Sequence, residues 1–599
     1  MNPLRVLIAV QCGITVILGG EDCEVGQQLE ALSLLQLHGR AIDAPTALSP
    51  DTRVLKWSST DPKPGQTVDG ILKVNLDPAD PDSPVLELQV RMTLSETQPA
   101  PLGPILVHCG GPSSGADCGQ RVASRAPDHY KGYDVWSITQ RGMQGNNITL
   151  LCDSKKDSTL PEKCGPDGCK VSDFTTCDCA LPDGTPQIGE IWADVDPRKE
   201  GDVKNLFAKM SEWGLKTGKC YTAKKWQLQG RSGKIYNFLE WVGTQYLAYD
   251  IDVFRKAIGA EKMSVYGYSY GTYVGAVYAT VFSDKIFRVV LDGNMSPWPQ
   301  KEQQALGDAE ANDKAIAKLL LDCKEAPHKC SLSNPEEEYQ QVVAMARRGA
   351  LTARTKSGND FPLTVGMLMV FLQTEYTSNT GRGFPVCTQV LAKLSPRNSN
   401  DTARSEAVAM ILDGYCIVRG TPTWYNYDIC VGPGQTMAQE GQRLGDTYFE
   451  QCAIWGVDQA GLYLASDTLG RWTANKGKFG DAGVAALIGD MAGYSFWPAT
   501  ATPTSPMGNP NLPVLIIGNL FDTATAYTWS QQMRQAFTAG SLLTWQGVGH
   551  TLPSDGNPYN YDPEAIKKCQ VHVRDYMQNG TLPLDGFTCH STEPVPVGL

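Results

Sequence analysis

The sequence predicts an α/β fold: a doubly wound, mostly parallel sheet interrupted by a large helical insertion. Three observations carry this. Short apolar runs alternate with helical stretches up to Asp292, which argues for parallel strands joined by helices. The strand pattern then stops over residues 297–507, where helical spacing dominates, as at 313–321, 335–348 and 405–412. It resumes with apolar runs at 513–518 and 542–545.

Taken in order, residues 73–76 and 86–92 alternate like antiparallel strands. Residues 104–108 form an apolar strand that ends in Cys109-Gly110-Gly111-Pro112. Residues 133–138 form another, ending at Arg141-Gly142. The stretch 152–227 is polar and rich in cysteine and reads as a loop-heavy insertion. Helical spacing over 238–258 leads to a strand at 263–268 and then to Gly267-Tyr268-Ser269-Tyr270-Gly271. A further strand, 287–292, ends at Asp292-Gly293. The expected organisation is a leader at 1–20, a first part of the core at 21–296, a helical lid at 297–507 and a last part of the core at 508–599. A lid at that place would lie over the carboxyl ends of the strands, where such sheets bind ligands.

Composition narrows the class. The chain has 599 residues, 42% hydrophobic and 19% charged, as expected of a globular protein. Its net charge is −12 and it lacks a long Lys/Arg run, which argues against a nucleic-acid partner. Eighteen cysteines indicate disulfides and an oxidising compartment. The cluster Cys164, Cys169, Cys177 and Cys179 lacks the paired spacing of a zinc site and is read as disulfide-forming. Arg5 followed by the apolar run 6–18 and by Gly19-Gly20 reads as a signal peptide, too short for a membrane span. No later apolar stretch is long enough to span a membrane. Cleavage there would remove Cys12 and leave an odd number of cysteines. Asn147, Asn294, Asn400 and Asn579 begin glycosylation sequons. A secreted protein is expected, with delivery to a lysosome- or vacuole-like compartment as the alternative. Nothing in the sequence sets an oligomeric state.

The chemistry centres on Ser269. A serine on a tight strand–turn–helix junction projects its hydroxyl at the end of a sheet, and flanking glycines remove side chains that would collide there. A second match, Gly111-Pro112-Ser113-Ser114-Gly115, lacks the helix that should follow. A serine nucleophile needs a histidine base oriented by a carboxylate, in the chain order serine, acid, histidine. Of seven histidines, His38, His108 and His129 precede Ser269. His328 falls in the helical insertion, His572 in a C-terminal helix and His590 near the end. His550, on the loop Gln546-Gly547-Val548-Gly549-His550, remains. Asp522, at the end of the strand beginning at 513, is the first choice for the acid, and Asp292 the second. The glycine-rich turn at Gly110 and the Tyr270 N–H at the helix start are the candidate oxyanion donors.

Together these elements resemble the α/β-hydrolase peptidases of the proline iminopeptidase and tripeptidyl aminopeptidase type. Residues 110–115 resemble the family's GGPGGSG turn, 133–142 its YDVVGFDPRG segment and 522–527 its DPATP acid loop. The elbow around Ser269, the run 290–293 and the tail from Cys569 to Cys589 are also close. The resemblance implies Ser269 as nucleophile, Asp522 as acid, His550 as base, and Gly110 and Tyr270 as oxyanion donors. It implies pairing of Cys569 with Cys589 and no metal or cofactor. The implied activity is release of short peptides or single residues from free N-termini through an acyl-enzyme. Such an enzyme needs a lid carboxylate for the substrate ammonium, for which Glu375 is a candidate. Ser113, Ser114 and Cys109 depart from the family turn, and Gln140 stands where the family often has proline. A carboxylic-ester hydrolase with the same triad is the alternative function, and a non-catalytic binding module is a remote one.

Overall fold

A single sheet of ten strands organises the chain. The computed structural model describes residues 55–59, 62–112, 114–143, 145–150, 195–208, 224–298, 301–354, 360–377, 383–413, 468–492, 507–553 and 563–590. The leader at 1–20, the cysteine cluster 164–179 and Ser113 lie outside them. The described residues belong to one compact unit, Leu48–Leu599.

The strands are β1 (Leu55–Trp57), β2 (Thr67–Asn75), β3 (Val85–Thr93), β4 (Pro104–His108) and β5 (Asp134–Ile138), followed by β6 (Met263–Tyr268), β7 (Ile286–Asp292), β8 (Val514–Phe521), β9 (Ser541–Val548) and β10 (Phe587–Cys589). Their order across the sheet is β1-β2-β3-β5-β4-β6-β7-β8-β9-β10. The pairs from β1 to β3 and between β3 and β5 are antiparallel, and every pair from β5 through β10 is parallel. The sheet is therefore mostly parallel, as its strand pattern predicts. β1 and β10, three residues each, are too short to show a period and were not expected.

From β4 the chain crosses to β5 on one side, and β6 then lies on the other. The carboxyl ends of β4 and β6 thus flank the topological switch point, where open α/β sheets leave a crevice. Both faces of the sheet are covered, one of them in part by α1 (Cys118–Arg125). Val265, Val289, Leu291 and Ile516 join one buried cluster, which includes α2 (Thr244–Ala257) and α3 (Tyr270–Val281). Their strand neighbours Tyr266, Val290, Leu515 and Ile517 join another, against the C-terminal helix Pro563–Asn579. Burial on both faces explains why these strands read as continuous apolar runs. The helical reading of 238–258 is corrected at one point: a short 3-10 turn, Phe238–Glu240, precedes α2, and extended backbone at Gly243 separates them.

The insertion between β7 and β8 has its own core. It contains α4 (Lys301–Glu325), α5 (Pro335–Arg347), α6 (Val365–Thr377), α7 (Gly383–Leu394), α8 (Asp401–Asp413) and α9 (Asp481–Ala492). Pro335 opens α5 with Glu336, Glu337 and Glu338 in its first turn, and Arg347 lies in its last, as the helix dipole favours. A small hairpin, Thr352–Arg354 with Asp360–Pro362, interrupts the helices and was not expected. Among the described residues no helix is long and apolar enough to cross a membrane.

Candidate active site

The turn after β6 is shaped by its two glycines. A Cβ on Gly267 would lie 2.1 Å from the Gly271 carbonyl oxygen, and a Cβ on Gly271 would lie 2.1 Å from that of His108. Only bare backbone fits where strand and helix meet. Between them Ser269 takes φ 54°, rare for a non-glycine residue and a store of strain. Its N–H donates to the Asp292 carbonyl (3.0 Å), and its own carbonyl accepts from the Thr272 N–H (2.8 Å) and hydroxyl (2.6 Å).

Asp522 closes β8 and is fully buried. Its Oδ1 accepts the N–H groups of Ala524 (2.8 Å) and Thr525 (2.9 Å), and its Oδ2 accepts the Thr525 hydroxyl (2.8 Å). His550, on the loop after β9, brings Nδ1 to 2.9 Å from Oδ2 and 3.1 Å from Oδ1. This is the geometry that holds an imidazole with its proton on Nδ1, leaving Nε2 to accept. Burial works against the imidazolium, but the Asp522 charge and hydrogen bond outweigh it, aided by Asp292, so the ring's pKa is raised above 6.5. Asn519 Nδ2 holds the carbonyls on both sides of His550, those of Gly549 (2.8 Å) and Thr551 (2.6 Å).

Of the two aspartates considered for the acid, Asp522 is the one bonded to His550. Asp292 accepts instead from the Leu552 N–H (2.9 Å) and the Tyr266 hydroxyl (3.4 Å). The strand end it occupies also borders the imidazole: a Cβ on Gly293 would sit 3.3 Å from His550 Cε1. Ser269, Asp522 and His550 thus each follow the carboxyl end of a strand, at the same edge of the parallel part of the sheet.

The oxyanion turn requires a correction. A Cβ on Gly110 would meet Ser269 Cβ at 2.8 Å and the Tyr270 nitrogen at 3.0 Å, so Gly110 does pack on the elbow. Its N–H, however, donates to His108 Nδ1 (3.2 Å) and is thereby engaged. Burial depresses the His108 pKa to about 4, which keeps the ring neutral, and the Gly110 N–H marks Nδ1 as its accepting nitrogen. Gly110 therefore contributes close approach, and Tyr270 stands at the first position of α3. Cys109 explains its own departure from the family turn: it pairs with Cys118, pinning the turn to the following helix. Within the turn, the Ser114 hydroxyl accepts from the Cys109 N–H (3.2 Å), and the Ser114 N–H donates to the Gly110 carbonyl (3.1 Å).

Glu375 lies on α6 and is buried. Two residues on, the Thr377 hydroxyl meets that of Thr523 beside the acid (2.9 Å). Cys569 and Cys589 are bonded, as are Cys323 and Cys330. Asn147, Asn400 and Asn579 are exposed. Asn294 is not a glycosylation site: it is fully buried, and its amide nitrogen donates to Leu291 O (3.2 Å), Ile517 O (2.8 Å) and Ser530 Oγ (3.1 Å). Thr525, Asn519 and the Cys109–Cys118 bond escaped the sequence reading. Only Thr525 carried a signal, its place in the segment similar to the family's acid loop.

Comparison with known proteins adds a second line. The family model for the alpha/beta hydrolase fold matches residues 103–341, and that for TAP-like protein matches 485–589. The chain is 24% identical over 575 residues to "Serine protease Hip1" of Mycobacterium tuberculosis, covering 92% of this chain and 93% of that protein. It is 27% identical over 241 residues to the "Tripeptidyl aminopeptidase" of Streptomyces coelicolor, covering 39% of this chain and 36% of that one. Among solved structures, the proline iminopeptidase of Mycobacterium smegmatis is similar at 12% identity and a TM-score of 0.26, over 82% of this chain and 94% of that one.

Proposed function

From the premise that the chain is a serine peptidase of the α/β-hydrolase type, we propose that it is a secreted exopeptidase acting on peptides with a free N-terminus. The observation that carries the chemistry is the 2.9 Å contact between His550 Nδ1 and Asp522 Oδ2, next to a strained serine turn at the switch point of the sheet.

In this reading Ser269 Oγ attacks the scissile carbonyl while His550 Nε2 takes its proton. Asp522 holds the ring and stabilises the imidazolium. The Tyr270 N–H, at the start of α3, stabilises the oxyanion. His550 then protonates the leaving amine, and a water activated by the same ring hydrolyses the ester to release the N-terminal fragment. The helical insertion acts as a lid. Glu375 is the candidate for the substrate ammonium, supported by its burial on a helix whose end touches the acid loop. Length similarity to a serine protease and partial similarity to a tripeptidyl aminopeptidase support a peptide substrate and release of short fragments. Secretion is supported by the apolar N-terminal run and by disulfides in the described residues.

Two measurements test this. A fluorophosphonate probe should label the wild type and leave Ser269→Ala unlabelled; a folded wild type that fails to label removes the acyl-enzyme. Peptidyl amides with free and N-acetylated termini should be cleaved with a clear preference for the free amine. Faster cleavage of blocked peptides or simple esters would instead favour the ester hydrolase.

A further inference from the structure

Two non-glycine residues among those described have positive φ: Ser269 at 54° and Thr551 at 63°. One is the serine of the elbow and the other directly follows His550. Such backbone persists only where the surroundings over-determine it. Asp292 bonds to both places at once. Its main-chain carbonyl accepts the Ser269 N–H (3.0 Å), and its carboxylate Oδ1 accepts the N–H of Leu552, immediately beyond Thr551 (2.9 Å). The next residue completes the fit: Gly293 has φ 67°, and a Cβ there would lie 2.9 Å from Thr551 Cγ2. It donates its own N–H to Ile517 O (3.1 Å), fixing the pair to β8.

We infer that Asp292 is a positioning residue that ties the backbone of Ser269 to the loop of His550, with its carboxylate adding to the field at that imidazole. The inference rests on the acyl-enzyme reading of Ser269. The groups facing the carboxylate are Tyr266 and Tyr268 of β6, Tyr130 before β5, Asp522 after β8 and His550 after β9. Burial pushes the Asp292 pKa up to about 7, against the Leu552 N–H and the His550 charge, which favour ionisation. When ionised it favours the imidazolium of His550, in addition to the larger effect of Asp522. The site thus holds two carboxyl groups: one bonds to the ring, and the other steers it through backbone and field.

Two substitutions separate the clamp from the charge. Asp292→Asn retains an acceptor for Leu552 and removes the charge. Asp292→Ala removes both. The rate of fluorophosphonate labelling is measured from pH 5 to 9 for wild type and each variant, with peptide kcat and KM alongside. In Asp292→Asn the acid limb should move to lower pH by about half a unit or more, with KM little changed. In Asp292→Ala kcat should fall a further ten- to hundred-fold, about the cost of misplacing reacting groups. If wild type is labelled and Asp292→Asn gives a superimposable pH profile, the proposed charge role is wrong. If Asp292→Asn loses as much activity as Asp522→Asn, Asp292 is the triad acid and the division of labour is overturned. Wild type that is folded but never labelled would instead remove the acyl-enzyme on which the inference rests. Should Asp292→Ala not fold, Asp292→Asn alone decides the question.

Discussion

His550 is where residue-scale forces oppose each other most directly. Burial favours the neutral ring, and Asp522 and Asp292 favour the charged one, with the net pKa raised above 6.5. The neutral ring is the active base, so activity should be lost as pH falls through that raised value. The acid limb is therefore expected above 6.5. Peptides with free amines are a poor readout, because an α-amino group titrates near 8 itself. The labelling rate of a probe without ionisable groups reports the base directly. An inflection below 6.5 would mean that burial outweighs the two carboxylates. The same shift couples to folding: stability gained from the imidazolium is fully present below 6.5 and is lost as pH rises through the folded value.

At the scale of elements, the strand–turn–helix at Ser269 is the unit on which the site depends. At Gly271 any Cβ would meet the His108 backbone carbonyl. Backbone cannot rotate away as a side chain can, so Gly271→Ala should displace α3 from β4. A shift near 1 Å at such a position costs about 100-fold in rate. The expected result is a labelling rate reduced by about that factor, with a lowered melting midpoint. Gly201→Ala, with nothing within 4 Å of its Cβ position, should lower neither. Equal behaviour of the two variants would refute the steric account. The elbow was legible in the sequence because its constraints are local: strand, glycine, serine, glycine and helix follow one another. Asp522 and His550 were legible because each follows a recognisable apolar strand, and chain order together with position sets the other histidines aside. What escaped depends on contacts between distant segments. The burial of Asn294 is set by Ile517 and Ser530, and Asp292 gains its role only when residue 552 arrives beside it. No local pattern records these meetings.

At the scale of the molecule, two cores must be held in register, and Arg141 shows how the sheet half is fastened. Its guanidinium is completely buried and all its donors are used. Nε and Nη2 grip Asp250 of α2 at 2.7 and 2.8 Å. Nη1 reaches the carbonyls of Leu76 (2.7 Å) and Trp241 (3.0 Å), and Nη2 also reaches that of Asn75 (3.0 Å). One side chain thereby joins the end of β2, the approach to α2, α2 itself and the loop after β5. Its planar fork matches this set, and an ammonium cannot. Breaking a buried pair from one side leaves an uncompensated charge and typically costs about 3–5 kcal/mol. Arg141→Ala leaves Asp250 in that state, and Arg141→Lys leaves several carbonyls unbonded. Both should lower the melting midpoint of the sheet half by several degrees. The helical insertion has a separate core and need not melt with it, so a single global transition is not the right readout for a chain of this size. Limited proteolysis during heating distinguishes the halves: cuts between 55 and 150 should appear first in the variants, while the segment 301–413 stays protected. Variants whose β2–β5 region resists cleavage as long as the wild type would show that Arg141 is not what fastens it.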